Sequence, residues 1–146
     1  MKNKGLLFCI TMLWLFSLVG CAIVNLKTER LPDADLSSTK TFYVVWLEGD
    51  DRGLHNIIRD ELISMGFAAE SGTIAKVPAD VDAIVTYEDR WFWDITNYLL
   101  QLNIEIRDSK SMYPLAIGES VRTSLARKSP KEMTREILEG IFQKKS

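Results

Sequence analysis

The sequence predicts an α/β domain, a two-layer sandwich in which a mixed sheet of about four to five strands carries two helices on one face. Three observations predict it. Thr41–Leu47 and Ala83–Tyr87 are apolar on both alternating faces, as centrally placed strands are. Thr96–Arg107 alternates strictly, as a half-wetted strand does. Two further segments, opening near Leu54 and Pro130, carry apolar stripes at helical spacing.

The elements follow in order. After the Thr41–Leu47 strand, Glu48-Gly-Asp-Asp-Arg-Gly53 turns the chain, and Asp50 or Asp51 can cap the helix that follows. Leu54, Ile57, Ile58, Leu62 and Met65 form that helix's stripe, and Gly66 can end it in the left-handed region. Phe67–Ile74 reads as a short strand weakened by Gly72. In Thr96–Arg107, Tyr98, Leu100, Leu102, Ile104 and Ile106 are expected on one face. Gln101, Asn103, Glu105 and Arg107 are expected on the other, with Leu99 the single apolar residue among them. Asp108-Ser-Lys-Ser111 is a hairpin turn, and Met112–Val121 returns as a strand whose Pro114 favours a start or an edge. Ser129-Pro-Lys-Glu132 opens the last helix with a cap, a first-turn proline and the acid of a capping box. Met133, Ile137, Leu138, Ile141 and Phe142 supply its stripe, and Lys144 and Lys145 suit its C-terminal end. The first strand and the Ala83 strand are expected to pair in parallel through a crossover, with antiparallel hairpins added beyond.

The start of the chain reads as an address. Lys2 and Lys4 precede the largely apolar, uncharged run Gly5–Val19. It is shorter than the ~20 apolar residues of a membrane span and fits a secretory signal. Leu18-Val19-Gly20-Cys21 resembles the lipobox of bacterial lipoproteins. The resemblance implies cleavage before Cys21, a thioether-linked diacylglycerol on that cysteine and acylation of the new amino group. Ala22, rather than aspartate, after the cysteine resembles an outer-membrane sorting signal. Residues 1–20 are thus read as the signal peptide, 21–40 as a lipidated tether and 41–146 as one domain. Pro32, Asp33, Asp35 and Ser37-Ser38 break regular structure in the tether, although Ile23, Val24, Leu26 and Leu31 give it surface with which to dock.

Composition narrows the function. Removing Lys2 and Lys4 with the signal leaves 16 basic against 20 acidic side chains, a formal −4. That balance disfavours sequence-independent nucleic-acid binding, which runs on dense positive charge. Cys9 leaves with the signal, so the segment after Cys21 has no thiol for a disulfide, a thiolate metal site or a nucleophile. His55 is the lone histidine, which excludes a multi-histidine metal centre. No cofactor or metal is expected.

The stretch with most chemical character is Tyr87-Glu-Asp-Arg-Trp-Phe-Trp-Asp94. Aromatics beside charge can stack on a sugar, a peptide or a protein partner, and they can also close the end of a core. Arg90, Trp91, Trp93 and Asp94 are the candidate partner-binding residues. Glu88, Asp89 and Asp94 offer carboxylates for a rival glycan hydrolase, which would need two of them about 5–9 Å apart across one bond. Gly49-Asp-Asp-Arg-Gly53 lacks both nucleotide-loop spacings, and its aspartates would repel phosphate. No Gly-x-Ser-x-Gly elbow is present, so no residue is assigned a catalytic role. Arg122, Arg127, Lys128, Lys131 and Arg135 form a basic segment read as a solvated surface.

Residues 42–142 resemble small, largely uncharacterised bacterial envelope lipoproteins. The resemblance rests on Asp82-Ala-Ile-Val-Thr-Tyr87, Arg90-Trp-Phe-Trp-Asp94, Tyr98-Leu-Leu100, Ser124-Leu125 and Arg127-Lys128. The layout also loosely resembles α/β domains of periplasmic lipoproteins that activate cell-wall synthases or help outer-membrane assemblies, an analogy of fold that carries no activity. The expectation is a non-enzymatic binding or scaffolding module on the periplasmic face of the outer membrane. Acylated Cys21 would hold it to the bilayer, and its partner would be another envelope protein or a second copy of itself.

Overall fold

Six strands form one mixed sheet in a computed structural model that describes residues 22–143. They are β1 (Val24–Arg30), β2 (Thr41–Val45), β3 (Ala68–Gly72), β4 (Ala83–Trp93), β5 (Asn97–Asp108) and β6 (Pro114–Arg122). The helices are α1 (Leu54–Ser64) and α2 (Pro130–Phe142). The sheet order is β1-β6-β5-β4-β2-β3, with β2 parallel to β3 and β4 and all other pairs antiparallel. The parallel pairing of β2 with β4 and the two-layer α/β class agree with the sequence pattern. The signal segment and Cys21 lie outside the described residues, as do Lys144 and Lys145.

Two expectations are corrected. First, the stretch read as a tether contains β1, which lengthens the sheet to six strands by pairing along β6 from Val24↔Arg122 to Arg30↔Ala116. Arg30 Nε donates to the Ile141 carbonyl at 2.6 Å, tying β1 to the end of α2. Thr28 lies under α2 at Gly140, where a Cβ would meet its methyl at 2.7 Å. The close approach of helix and strand needs glycine there, as it does at Gly118, where a Cβ would come 2.3 Å from Ile137.

Second, a register shift between Arg90 and Trp91 breaks the alternation of β5. Arg90 pairs with Gln101 and Trp91 with Leu99, so Leu100 is the extra residue of a bulge. Leu99 therefore joins Leu102, Ile104 and Ile106 in the core, and Leu100 is only half-buried.

The core lies between the helices and one sheet face. Phe42, Val44, Val85, Leu102, Ile104 and Ile106 meet Ile58, Leu62, Met133, Ile137, Leu138 and Ile141 there. Phe42, Phe67 and Phe142 close one side, with ring centroids 4.6–5.8 Å apart. On the other face, residues 73–82 cover only the Tyr43 corner, whose hydroxyl donates to the Thr73 carbonyl. The rest of that face carries Glu88, Arg90, Gln101, Asn103, Ile117 and Glu119, with no covering element among the described residues.

The start of α2 and the end of α1 act as expected, and the start of α1 does not. Ser129 Oγ accepts from the Glu132 N–H, and Glu132 Oε2 accepts from the Ser129 N–H, completing the capping box. At α1 the N-cap is Gly53, without a side-chain cap bond; Asp50, four residues before Leu54, accepts from the N–H groups of Arg52 and Gly53 at 2.9 Å and so fixes the turn ahead of the helix. Gly66, at φ 94°, ends α1.

Candidate functional site

The hairpin joining β4 to β5 stands at one end of the sheet, where β6 also finishes and β1 begins. Its root and its tip are built differently. At the root, the Asp50 carboxylate is buried and accepts the Tyr87 hydroxyl at 2.6 Å and the Arg52 and Gly53 N–H groups, with His55 Nδ1 at 3.2 Å. Burial alone would raise the Asp50 pKa. Hydrogen bonds from Tyr87, from His55 and from the backbone outweigh it and hold the carboxyl below its ordinary value. Burial and the bond to Asp50 push the Tyr87 phenol up in turn. These groups fix the turn between β2 and α1; Leu47 N–H also donates to Tyr87 at 3.2 Å.

The tip begins at the bulge. Trp91 is half-buried against the core, its indole N–H donates to the Asp89 carboxylate, and the Arg52 guanidinium lies 4.2 Å above its ring. Trp93 is 70% exposed and Phe92 54%. Asp94 turns the chain by accepting the Ile95 N–H, and Ile95 is 87% exposed. Arg127, from the segment between β6 and α2, grips this turn. It donates to Thr96 Oγ1 at 2.7 Å, pairs with Asp94 at 2.9 Å and stacks 4.4 Å over Tyr98.

The four partner-binding candidates thus separate. Arg90 lies on the uncovered sheet face, Trp91 is engaged within the domain, Asp94 is held by Arg127, and Trp93 presents free aromatic surface. The rival carboxylates separate too. Glu88 lies on the uncovered face, Asp89 on the face of Trp91, and Asp94 at the tip, because consecutive strand residues leave opposite faces. Among the described residues no group of three His, Cys, Asp or Glu side chains is placed to hold a metal ion.

Arg52 and Arg127 are the participants that sequence reasoning missed. Neither has a local signal: each meets the hairpin from a distant part of the chain. Leu125, two residues before Arg127, is also exposed at this end.

The uncovered face holds a shallow groove of ≈ 430 Å³ lined by Thr86, Glu88, Asn103, Glu105, Ile117 and Glu119, among others. Glu105 is paired with Arg107 at 2.8 Å. Behind the sheet, Glu136 binds Arg122 at 2.6 Å and Lys128 at 2.5 Å, and accepts from Ser120. Burial would raise the Glu136 pKa, but these donors keep it low.

No protein-family model and no curated protein matches the chain. Solved structures do. A dodecamer of PelC from Paraburkholderia phytofirmans matches with TM-score 0.58, at 14% identity, over 83% of this chain and 100% of that one. A point variant of the same protein, also a dodecamer, matches with TM-score 0.59 at the same identity and coverage. At that identity the likeness is one of fold. No helix among the described residues is long and apolar enough to cross a membrane.

Proposed function

We propose that this protein is a lipid-anchored scaffold of the bacterial cell envelope, without catalysis of its own, facing the periplasm from the outer membrane. The observation that carries the reading is the sheet face left open across β4, β5 and β6. Ile117, 43% exposed, lies there between Glu105 of β5 and Glu29 of β1, with Glu119 two residues along β6 and Gln101 and Arg90 further toward the hairpin end, and no element of the described chain covers them. A mixed apolar and polar face of this kind suits contact with another folded protein. The dispersal of Glu88, Asp89 and Asp94 over two faces and a tip supports a binding role over the glycan-hydrolase alternative.

A second copy of the chain is the partner we favour beside a different envelope protein, because PelC, whose fold this chain shares, is solved as a dodecamer. The anchor is the acylated Cys21 implied by the lipobox. Metabolic labelling with a clickable palmitate analogue is expected to mark the wild type and not Cys21→Ala; equal labelling of both would remove the anchor.

The scaffold is tested by in-cell cross-linking of the full-length protein, with Ile117→Asp alongside. A specific cross-linked species that disappears in the variant, at unchanged thermal unfolding, supports the reading. The same species in both, or none in the wild type, overturns it.

A further inference from the structure

Three separate segments bring apolar side chains to the end of the sheet that carries the hairpin tip. Trp93 and Ile95 come from the hairpin, Leu125, 72% exposed, from the turn after β6, and Ile23 and Val24 from the start of β1. The segments are bonded together. The Ile23 N–H donates to Thr123 Oγ1 at 3.0 Å, and the Thr123 N–H donates to the Ile23 carbonyl at 3.3 Å. Four residues on from Thr123, Arg127 holds Asp94 and Thr96 on either side of Ile95. Arg52, over Trp91, adds a second guanidinium at this end. The result is a fixed rim of five exposed apolar side chains with basic groups at its border.

The rim also lies where the chain leaves toward Cys21. Only Ala22 separates Cys21 from Ile23, and two residues of chain span at most about 7 Å.

We propose that this rim is a membrane-docking surface. Trp93, Ile95, Leu125, Ile23 and Val24 enter the boundary between headgroups and acyl chains of the same bilayer that holds the Cys21 lipid. The proposal rests on the anchored reading above and adds a second contact to it. Indole rings favour that boundary because their apolar body and N–H are satisfied on opposite sides. Arg52 and Arg127 lie where anionic headgroups would face them. An anchor so close to an apolar rim brings the rim to the bilayer without a further binding step.

The test uses the full-length lipidated protein in vesicles of phosphatidylethanolamine and phosphatidylglycerol with brominated acyl chains. Bromine quenches an indole only on contact. The wild type is expected to lose emission on reconstitution, and Trp93→Phe to lose markedly less, since Trp46 and Trp91 are half-buried with their indole N–H groups bonded inside the domain. Ile95→Asp with Leu125→Asp, both exposed, is expected to weaken quenching of the intact Trp93. Equal quenching in wild type and Trp93→Phe, or none in either, overturns the proposal. Flotation of the same vesicles separates the two readings. Protein that floats through Cys21 with Trp93 unquenched keeps the anchor and loses the rim; protein that does not float loses both. A cross-link joining the tips of two copies would make the rim an interface between copies and overturn docking.

Discussion

Trp91 and Trp93 sit two residues apart on one strand and have opposite surroundings. Trp91 has its N–H on Asp89, its ring under Arg52 and an edge in the core. Trp93 has most of its surface in solvent. The same contrast runs through the whole hairpin. Its root, around Asp50 and Tyr87, is buried with its polar groups bonded, whereas its tip is held from outside by one arginine. Alternation along a strand does not decide this difference, since both tryptophans fall at odd positions beyond the same bulge. What differs is the cover: Arg52, in the turn before α1, lies over the Trp91 ring, which packs against the core, whereas Trp93 is left 70% exposed. Hydrophobicity is therefore spent on stability at one position and left available for contact at the other.

The contrast is broken most severely at the root. Asp50→Ala strips the acceptor from the Tyr87 hydroxyl and from two backbone N–H groups, and each buried group left unmade costs about 1–3 kcal/mol. Chemical denaturation is expected to show a loss of roughly 3 kcal/mol or more. Trp91→Ala should cost less, about 2 kcal/mol, because the ring is only half-buried and loses one cation–π contact. Arg127→Ala removes an exposed ion pair and a stacked ring, for about 1 kcal/mol in the same assay. Trp93→Ala should fall within about 0.5 kcal/mol of the wild type. A Trp93→Ala variant as unstable as Trp91→Ala would erase the distinction.

Acid sharpens the comparison. The Asp50 carboxyl has a lowered pKa in the folded protein, so its stabilisation is fully present above the ordinary aspartate value. It is lost as pH falls through the folded value. Glu136, also lowered, acts in the same direction. Thermal unfolding followed down through the carboxylate range should therefore fall in the wild type and fall less steeply in Asp50→Asn. Arg127→Ala, which leaves both carboxylates in place, should keep the wild-type slope.

Legibility in the sequence follows the range of the interaction that decides each element. The start of α2 was readable because Ser129, Pro130 and Glu132 act on one another within four residues. β2, β6 and the first half of β4 were readable from apolar runs bounded by turn residues, but Glu88–Trp93, expected between two strands, continues β4 in register with β5. β1 was missed although Val24, Leu26 and Thr28 alternate with Asn25, Lys27 and Glu29 at strand period, because the run is short and its apolar residues Val24 and Leu26 stay exposed rather than joining the core. Its order comes from β6, and from Gly140 admitting Thr28 against α2. The Leu99–Leu100 pair shows a second limit. Two adjacent leucines satisfy either register, and only pairing with β4 selects the one that buries Leu99. At the candidate site the aromatic run and its charges were visible, but the division of labour between Trp91 and Trp93 was not. It depends on Arg52 and Arg127, which reach the hairpin from 39 residues before Trp91 and 33 residues after Asp94.

The pairing of β1 also imposes an order of assembly. Among the described residues the first strand of the sheet has β6 as its one strand neighbour, about a hundred residues on in sequence, Val24 against Arg122. Closing so long a loop carries an entropic cost that contacts made earlier in the chain do not meet. β1 can add only to a β6 that is already formed, and its Thr28 and Arg30 dock on α2, which follows β6 in the chain. The strand nearest Cys21 is thus a proofreader of the rest: only a finished domain draws the amino terminus to the end where Ile23 meets Thr123.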